Sequence, residues 1–390
     1  MALADDLTAL GHQGSDMRAT APQEAWRPRL ELDAAGGYFV STPRAADTNP
    51  DAVDLLGEFN LDPTIWRVVS VRRSKWQKHD GEWLEAFRVS LAPAATVAED
   101  NDLTQLVDEV RRWKPKNLRY TTGDAAFVFA VGDTQYGKDA GGGTSATVET
   151  VLNGFEHGVQ RLKDLRRIGR SVGTIVLPQL GDCIEGSSSQ KGKLLARSDL
   201  GVTQQVRLGR RMLMAQIKTF APHAERIIVP VVPGNHDDPH RIQATDPVDS
   251  WQVEVAAAVQ DACAENDALA HVEFRYPERD GQTLAVDVCG TILGFAHGHQ
   301  SRDAGTWWHG QAAGRTPVGS ADVLLTGHLH HFKAANIGPR LWVQVPAADG
   351  GSPWFRDKTG LDSPTGFVTM LVGDGIDPRE HLAVIGGNPR

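Results

Sequence analysis

RIIVPVVPGNHDD (226–238) runs from a continuous apolar stretch of strand length straight into a glycine, an asparagine, a histidine and two aspartates. The same arrangement precedes it twice. AAFVFAVGDTQ (125–135) and GTIVLPQLGDCIE (173–185) each join an apolar run to a short polar cluster. Helical patterns separate the three, SATVETVLNGFEHGVQRLKDLRRIGR (145–170) and a stretch within 202–220, and another, VDSWQVEVAAAVQDACAEN (248–266), follows. Strand-length runs alternating with helical ones are the signature of βαβ units.

Downstream the pattern shortens. Strands are predicted near 272–276, 283–288, 291–296, 322–326, 340–345 and 366–372, and two of them end in HGH (297–299) and GHLH (327–330). The expected fold class is α/β with mixed α+β character, a four-layer αββα sandwich with a small N-terminal β-rich extension. No internal repeat of solenoid period is present.

Upstream, residues 1–60 are acidic and rich in Ala, Pro and Gly, and read as a partly ordered arm. Residues 61–120 read as a small hairpin and helix region. WRVVSVRRSKWQ (66–77) and EWLEAFRVSLAP (82–93) flank the turn KHDG, which predicts a β-hairpin. Its Arg67, Arg72, Arg73, Lys75 and Lys78 lie among Trp66, Trp76 and Trp83, a mixture suited to nucleic acid. A solvated face packed on the main domain is the plainer reading. Residues 121–390 form the main domain.

The 390-residue chain is long enough for one large domain and a smaller one, and 41% apolar with 23% charged residues is ordinary globular composition. The net charge of -9 argues against a coat of positive charge for wrapping duplex DNA, though not against a local basic groove. Three cysteines, Cys183, Cys263 and Cys289, form no CxxC pair, so neither a disulfide framework nor a zinc knuckle is indicated. A cytoplasmic location is expected. The N-terminal twenty residues do not read as a signal peptide, and no run near eighteen apolar residues predicts a membrane span.

The polar clusters are GDTQ (132–135), GDCIE (181–185), GNHDD (234–238), HGH and GHLH, each at the carboxyl end of a predicted strand, where open α/β sheets place their sites. A lone Gly-Asp is more often an ordinary turn. Five clusters in order are a different matter. Over residues 124–350 the set resembles the calcineurin-like metallophosphoesterase superfamily, whose pattern runs D-x-H, GDxxD, GNHD/E, a histidine often followed by Gly-His, and GHxH.

That resemblance implies two divalent ions. Asp133, Gln135, Asp182 and His330 would hold one; Asp182, Asn235, His297 and His328 the other, with Asp182 bridging. His236 would approach the leaving-group oxygen as proton donor or charge stabiliser, so His236 and Asp182 carry the catalytic assignment. Two such ions share an activated water and stabilise both the attacking and leaving oxygens.

The sequence departs from the pattern twice, with Gln135 where a histidine is usual and Glu185 where the second motif often has Asp. An amide oxygen is a hard neutral ligand, which favours Mn2+, or Mg2+, over zinc or iron. Glu185 reads as a supporting residue rather than a ligand.

Other residues stay open. His299 is either a partner of the ligands or a core histidine. His331 points away if the stretch is extended. His240, Arg241 and the SSSQKGK stretch (187–193) are candidates for phosphate contact or plain loop surface. Trp307 and Trp308 read as packing, and Cys183 receives no catalytic role.

Motifs alone do not choose between monoesters and diesters. The basic hairpin, the SSSQKGK loop and a looser similarity to SbcD-type DNA repair nucleases point to a Mn2+-dependent DNA exonuclease or endonuclease, with DNA as substrate. RRSKWQ, GFAHGHQ and PWFRD also resemble a branch encoded by actinobacterial phages and prophages, for which the host cytoplasm is the expected location. The alternatives are a phosphomonoesterase or signalling-nucleotide phosphodiesterase, and a non-catalytic binding module on a degenerate fold. No long helical pair for docking an ATPase partner is seen. A homodimer is common among members of the superfamily, but no residue here argues one.

Overall fold

The computed structural model describes residues 29–33, 36–46, 50–63, 65–93, 101–115, 122–186, 198–239, 249–301, 303–351, 356–357, 360 and 364–386. The chain divides into two compact units, Met1–Asn101 and Asp102–Arg390.

In the first unit, residues 29–60, expected as an arm, supply β1 (Arg29–Asp33), β2 (Gly36–Val40), β3 (Arg44–Ala45) and α1 (Ala52–Gly57). The hairpin read from sequence follows: β4 (Trp66–Gln77) pairs antiparallel with β5 (Trp83–Pro93), which also pairs with β2 and β3. Side chains alternate along a strand. Phe87, Val89 and Leu91 of β5 therefore share one face, and they build a core with Phe39, Leu55 and Leu56. Past that core the hairpin enters solvent, and every residue from Ser70 to Trp83 is exposed.

The second unit opens with α2 (Asn101–Arg112), β6 (Ala125–Ala130), α3 (Gly143–Arg167), β7 (Val172–Val176), α4 (Val202–Phe220), β8 (Arg226–Pro230), α5 (Trp251–Ala264) and β9 (Val272–Arg275). It continues through β10 (Thr283–Val288), β11 (Thr291–Ala296), α6 (Ala304–Ala313), β12 (Val323–Thr326), β13 (Lys333–Ile337), β14 (Arg340–Gln344), β15 (Phe367–Val372) and β16 (Ala383–Ile385). Two sheets result, ordered β16-β15-β6-β7-β8-β9 and β10-β11-β12-β14-β13. Strands β6 to β9 run parallel in the first, and β11, β12 and β14 in the second.

Strand periodicity assigns the layers. On β6, Phe127 and Phe129 turn toward Phe155 and Leu162 of α3, Ile217 and Phe220 of α4, and Val259 of α5. The alternate residues Ala126, Val128 and Ala130 join Leu293 and Phe295 of β11, Leu325 of β12 and Val343 of β14 in a core between the sheets. A further cluster sets Trp308 of α6 against Leu324 and Trp342. The order is helix, sheet, sheet, helix, the αββα sandwich expected from the sequence. Each fully buried phenylalanine contributes on the order of 2–3 kcal/mol by leaving water.

Trp308 is fully buried, donates its indole N–H to the Val318 carbonyl at 2.8 Å and carries Arg340 4.0 Å from its ring centre, so it serves packing. Among the described residues no helix is long and apolar enough to cross a membrane.

Candidate metal centre

The polar clusters all follow carboxyl ends of parallel strands. Asp133 and Gln135 follow β6, Asp182 follows β7, Asn235 and His236 follow β8, His297 follows β11, and His328 and His330 follow β12. All eight predicted residues come together.

The loops are tied by the clusters' own groups. The Gln135 amide donates to the Asp182 carbonyl at 2.9 Å, the His236 amide to Asp182 Oδ1 at 2.7 Å, and the His328 amide to Asp133 Oδ2 at 2.8 Å. Two motif glycines are required by this closeness. A Cβ on Gly234 would lie 2.1 Å from Asp182 Oδ1, and one on Gly327 2.6 Å from Asp133 Oδ2. Asp133, Gln135, Asp182, His328 and His330 all adopt left-handed backbone, with φ of 50, 41, 54, 72 and 60°. For non-glycine residues this costs on the order of 1–3 kcal/mol each, and such strain gathers at functional sites.

At the heart of the site, acceptors face one another. His297 is completely buried, and its Nδ1 lies 2.7 Å from the Leu180 carbonyl. A carbonyl only accepts, so Nδ1 carries a hydrogen and Nε2 is left for the site. Nε2 points at Asp182 Oδ2, 3.2 Å away, and at Asn235 Oδ1, 3.1 Å away. Ligand atoms of Asp182, His297 and His328 all lie within 4.8 Å of one another. The ring of His328 is 5.0 Å from that of His297, and its Nδ1 is buried without a hydrogen-bond partner. Two imidazoles, a carboxylate and an amide oxygen converging on one buried point are a donor set for a divalent cation.

The titration behaviour has the same origin. Burial opposes protonation of His297, but the Asp182 carboxylate outweighs it and raises the imidazole to about 10. Burial would likewise raise Asp182, yet the positive charge of His297 and His236 holds it well below the usual carboxylate range. Burial, then the charge on His297, pushes both His328 and His299 down to about 4. A proton on His297 thus stands in for a cation. The His299 ring lies 5.4 Å from His297 and 6.1 Å from His328, on the edge of the cluster.

The adjoining half is built differently. Asp133 is fully buried, and its Oδ1 stands 3.4 Å from His330 Nε2. Gln135 is also buried, but its Oε1 receives the Lys138 ammonium at 3.0 Å. Lys138 is paired as well with Asp349, in the segment after β14. Burial would raise the Asp349 carboxyl, but Lys138 and then His330 hold it below its ordinary value.

His236 presents Nδ1 to the Glu185 carbonyl at 3.0 Å, with the Glu185 carboxylate 3.5 Å away. Nδ1 is therefore the donor and Nε2 is the free atom. Glu185 positions His236, the supporting place its sequence pattern implied.

Three residues were not singled out in the sequence. Asp237, fully buried, accepts from the amides of Asp182 at 2.6 Å, Cys183 at 3.0 Å and Gly234 at 3.0 Å, so one carboxylate pins two motif loops together. Burial, then the charge of Asp182, raises it to about 6. The first aspartate of GNHDD was the available signal. Lys138 and Asp349 had none, since nothing in YGKD or AADG marks a buried pair. Burial pushes the Cys183 thiol well up, which leaves it a poor nucleophile. His331 Nδ1 meets the Leu329 carbonyl at 2.8 Å, a structural contact. The SSSQKGK stretch, His240 and Arg241 lie outside the described residues.

The sequence matches no protein-family model and no curated protein. Several solved structures are similar. Vacuolar protein sorting 29 from Cryptosporidium parvum aligns at 16% identity over 64% of this chain and 86% of its own, with a TM-score of 0.30. An archaeal phosphodiesterase aligns at 13% identity over 66% and 99%, with a TM-score of 0.31. A predicted phosphoesterase from Streptococcus pneumoniae aligns at 13% identity over 64% and 84%, with a TM-score of 0.27.

Proposed function

We propose that the chain is a divalent-metal-dependent phosphoesterase that hydrolyses DNA phosphodiesters, with Mn2+ as its preferred ion. The observation that carries this reading is the convergence of His297 Nε2, Asp182 Oδ2 and Asn235 Oδ1 beside His328, four side chains of metal-ligating type brought to one place from the ends of different strands. A divalent ion bound there supplies Lewis-acid polarisation of the ester and a lowered pKa for the attacking water.

The remaining work falls to the chain's own groups. Asp182, Asn235, His297 and His328 would hold that ion, while Asp133, Gln135 and His330 line the neighbouring half. His236, locked by Glu185 with Nε2 free, is oriented to give a proton or hydrogen bond to the departing oxygen. Such a group is worth roughly 10²–10⁴ in rate. Asp237 fixes the loops that carry Asp182 and His236.

DNA, rather than a small ester, is favoured by the exposed hairpin. Trp76 and Trp83 are 38% and 49% exposed beside Arg72, Lys75 and Lys78, with Lys75 over the Trp83 ring. Exposed aromatic faces between basic side chains suit stacked bases and phosphates.

The test is a substrate panel. Protein with Mn2+ is incubated with labelled linear and circular DNA, RNA, cyclic dinucleotides and p-nitrophenyl phosphate. DNA degradation is expected, abolished by chelation or Asp182→Ala and reduced at least a hundredfold by His236→Ala. Turnover of the monoester or cyclic dinucleotides with DNA intact would replace the nuclease reading, and no turnover at all would end it.

A further inference from the structure

Lys138 is a buried ammonium inside the catalytic cluster. Its side chain is 7% exposed and its partner Asp349 only 1%. It sits three residues past Gln135, its amide bonded to the Gln135 carbonyl at 3.1 Å, which turns the side chain back on Gln135 Oε1. The oxygen that would serve a cation in the Asp133 half already serves a cation.

The surroundings agree. His330 lies between Asp133 and Asp349, with Nε2 3.4 Å from the first and Nδ1 3.9 Å from the second. Two carboxylates, an imidazole and a lysine crowd this half, and with Gln135 Oε1 engaged by Lys138 a cation there would have only Asp133, His330 and a shared Asp182 to hold it. A divalent ion placed on Gln135 Oε1 would face the Lys138 ammonium from ~5 Å, a like-charge contact in a buried place. Across the cluster, the Asp182, His297 and His328 donors face no lysine or arginine, only the exchangeable proton of His297, and among the described residues theirs is the one trio of its kind.

We infer that the centre takes a single divalent ion, at Asp182, Asn235, His297 and His328, and that the Lys138 ammonium is the permanent cation of the other half. Substrate phosphate is then held between a metal and a point charge rather than between two metals. Lysine binds phosphate as a point charge, with three donors on a compact head. This rests on the reading of the chain as a metal-dependent phosphoesterase.

The experiment counts bound metal, independently of turnover. The full chain is equilibrated with Mn2+, its metal content measured by elemental analysis, and anomalous scattering collected from Mn2+-soaked crystals. The expected result is close to one Mn2+ per chain, with a single peak beside His297. Two per chain, with paired peaks, would overturn the inference and leave the phosphoesterase reading intact. None would overturn both. The double variant Lys138→Met/Gln135→His removes the ammonium and restores an imidazole, and should raise the count toward two. A folded double variant, judged by circular dichroism, that still binds one would also overturn it. Because Lys138→Met leaves Asp349 unpaired, Lys138→Met/Asp349→Asn with Gln135→His provides the same count with both buried charges gone.

Discussion

At the scale of single residues, the site gathers metal-ligating side chains around His297, whose proton offsets the buried charge of Asp182. Its Nδ1 is committed to the Leu180 carbonyl, so metal binding at Nε2 must displace the Nε2 proton. That proton has an affinity set by burial against the Asp182 charge, about 10. Below that value the metal competes with a bound proton and above it does not. Apparent Mn2+ affinity should therefore rise about tenfold per pH unit through neutrality, with about one proton released per ion bound. Calorimetry in buffers of different ionisation enthalpy measures the release directly. Affinity independent of pH between 6 and 8 would show that His297 is not a ligand. His328, pushed down to about 4, is already neutral in this range and adds nothing to the slope. On the Asp133 side the opposition comes from Lys138 instead: at ~5 Å and an effective dielectric near 20, a dication and an ammonium repel by roughly 7 kcal/mol.

At the scale of elements, the motif loops depend on strands whose ends are held by helices, and α2 shows how the outer layer is fastened. Asp102, near its N-terminus and almost buried, accepts from Arg211 of α4 at 2.8 and 3.2 Å and pairs with Arg207 at 3.3 Å. Burial would raise the carboxyl, but the two arginines outweigh it and lower it from 3.8. A lowered folded-state pKa means the unfolded chain binds the proton more tightly, so the stabilisation is complete above the ordinary pKa and lost as pH falls through the folded one. Asp102→Asn should cost about 1–2 kcal/mol at neutral pH, with the gap to the unsubstituted protein closing below about pH 4. Urea unfolding at several pH values decides it, and a gap that stays constant would mean the arginines contribute nothing through charge. Such helices, and the strands they cover, were legible from apolar runs alone: β6, β8, β10, β11 and α4 fall where the periodicity put them. The element β13, KAANI, was not. It is an edge strand, largely exposed, with no alternation to read. Nor was α6, whose AGTWWHGQAA carries two glycines and no sustained apolar stripe. Within the site, the candidate ligands stood out in the sequence because metal-binding chemistry is restricted to few residue types, here at strand ends. Lys138 and Asp349 were hidden because their pairing arises only when distant loops meet.

At the scale of the whole molecule, a chain of net charge -9 would have to bind a polyanion through local structure, and the hairpin offers a local exception. Residues 70–83 extend beyond the core of their own unit and are exposed, so the charges of Arg72, Lys75 and Lys78, unlike that of Arg73 on the buried Glu85, contribute little to folding. The Lys78–Glu82 pair is a surface contact between half-exposed side chains, screened by water and salt. Replacing Arg72, Lys75 and Lys78 together by alanine should leave the melting temperature almost unchanged. The effect should appear in DNA binding. Each neutralised phosphate steepens the dependence of log affinity on log salt by about 0.9, so losing three contacts should flatten the slope by up to about 3. Affinity at moderate salt should fall on the order of tenfold. Turnover of a small chromogenic diester, which needs only the metal cluster, should be unaffected. Fluorescence anisotropy across a salt series, with the catalytic ion replaced by Ca2+ to prevent cleavage, separates these outcomes. If the slope and affinity both stay where they were, the hairpin does not contact phosphate, and DNA, if bound at all, is held by the charges around the metal cluster alone.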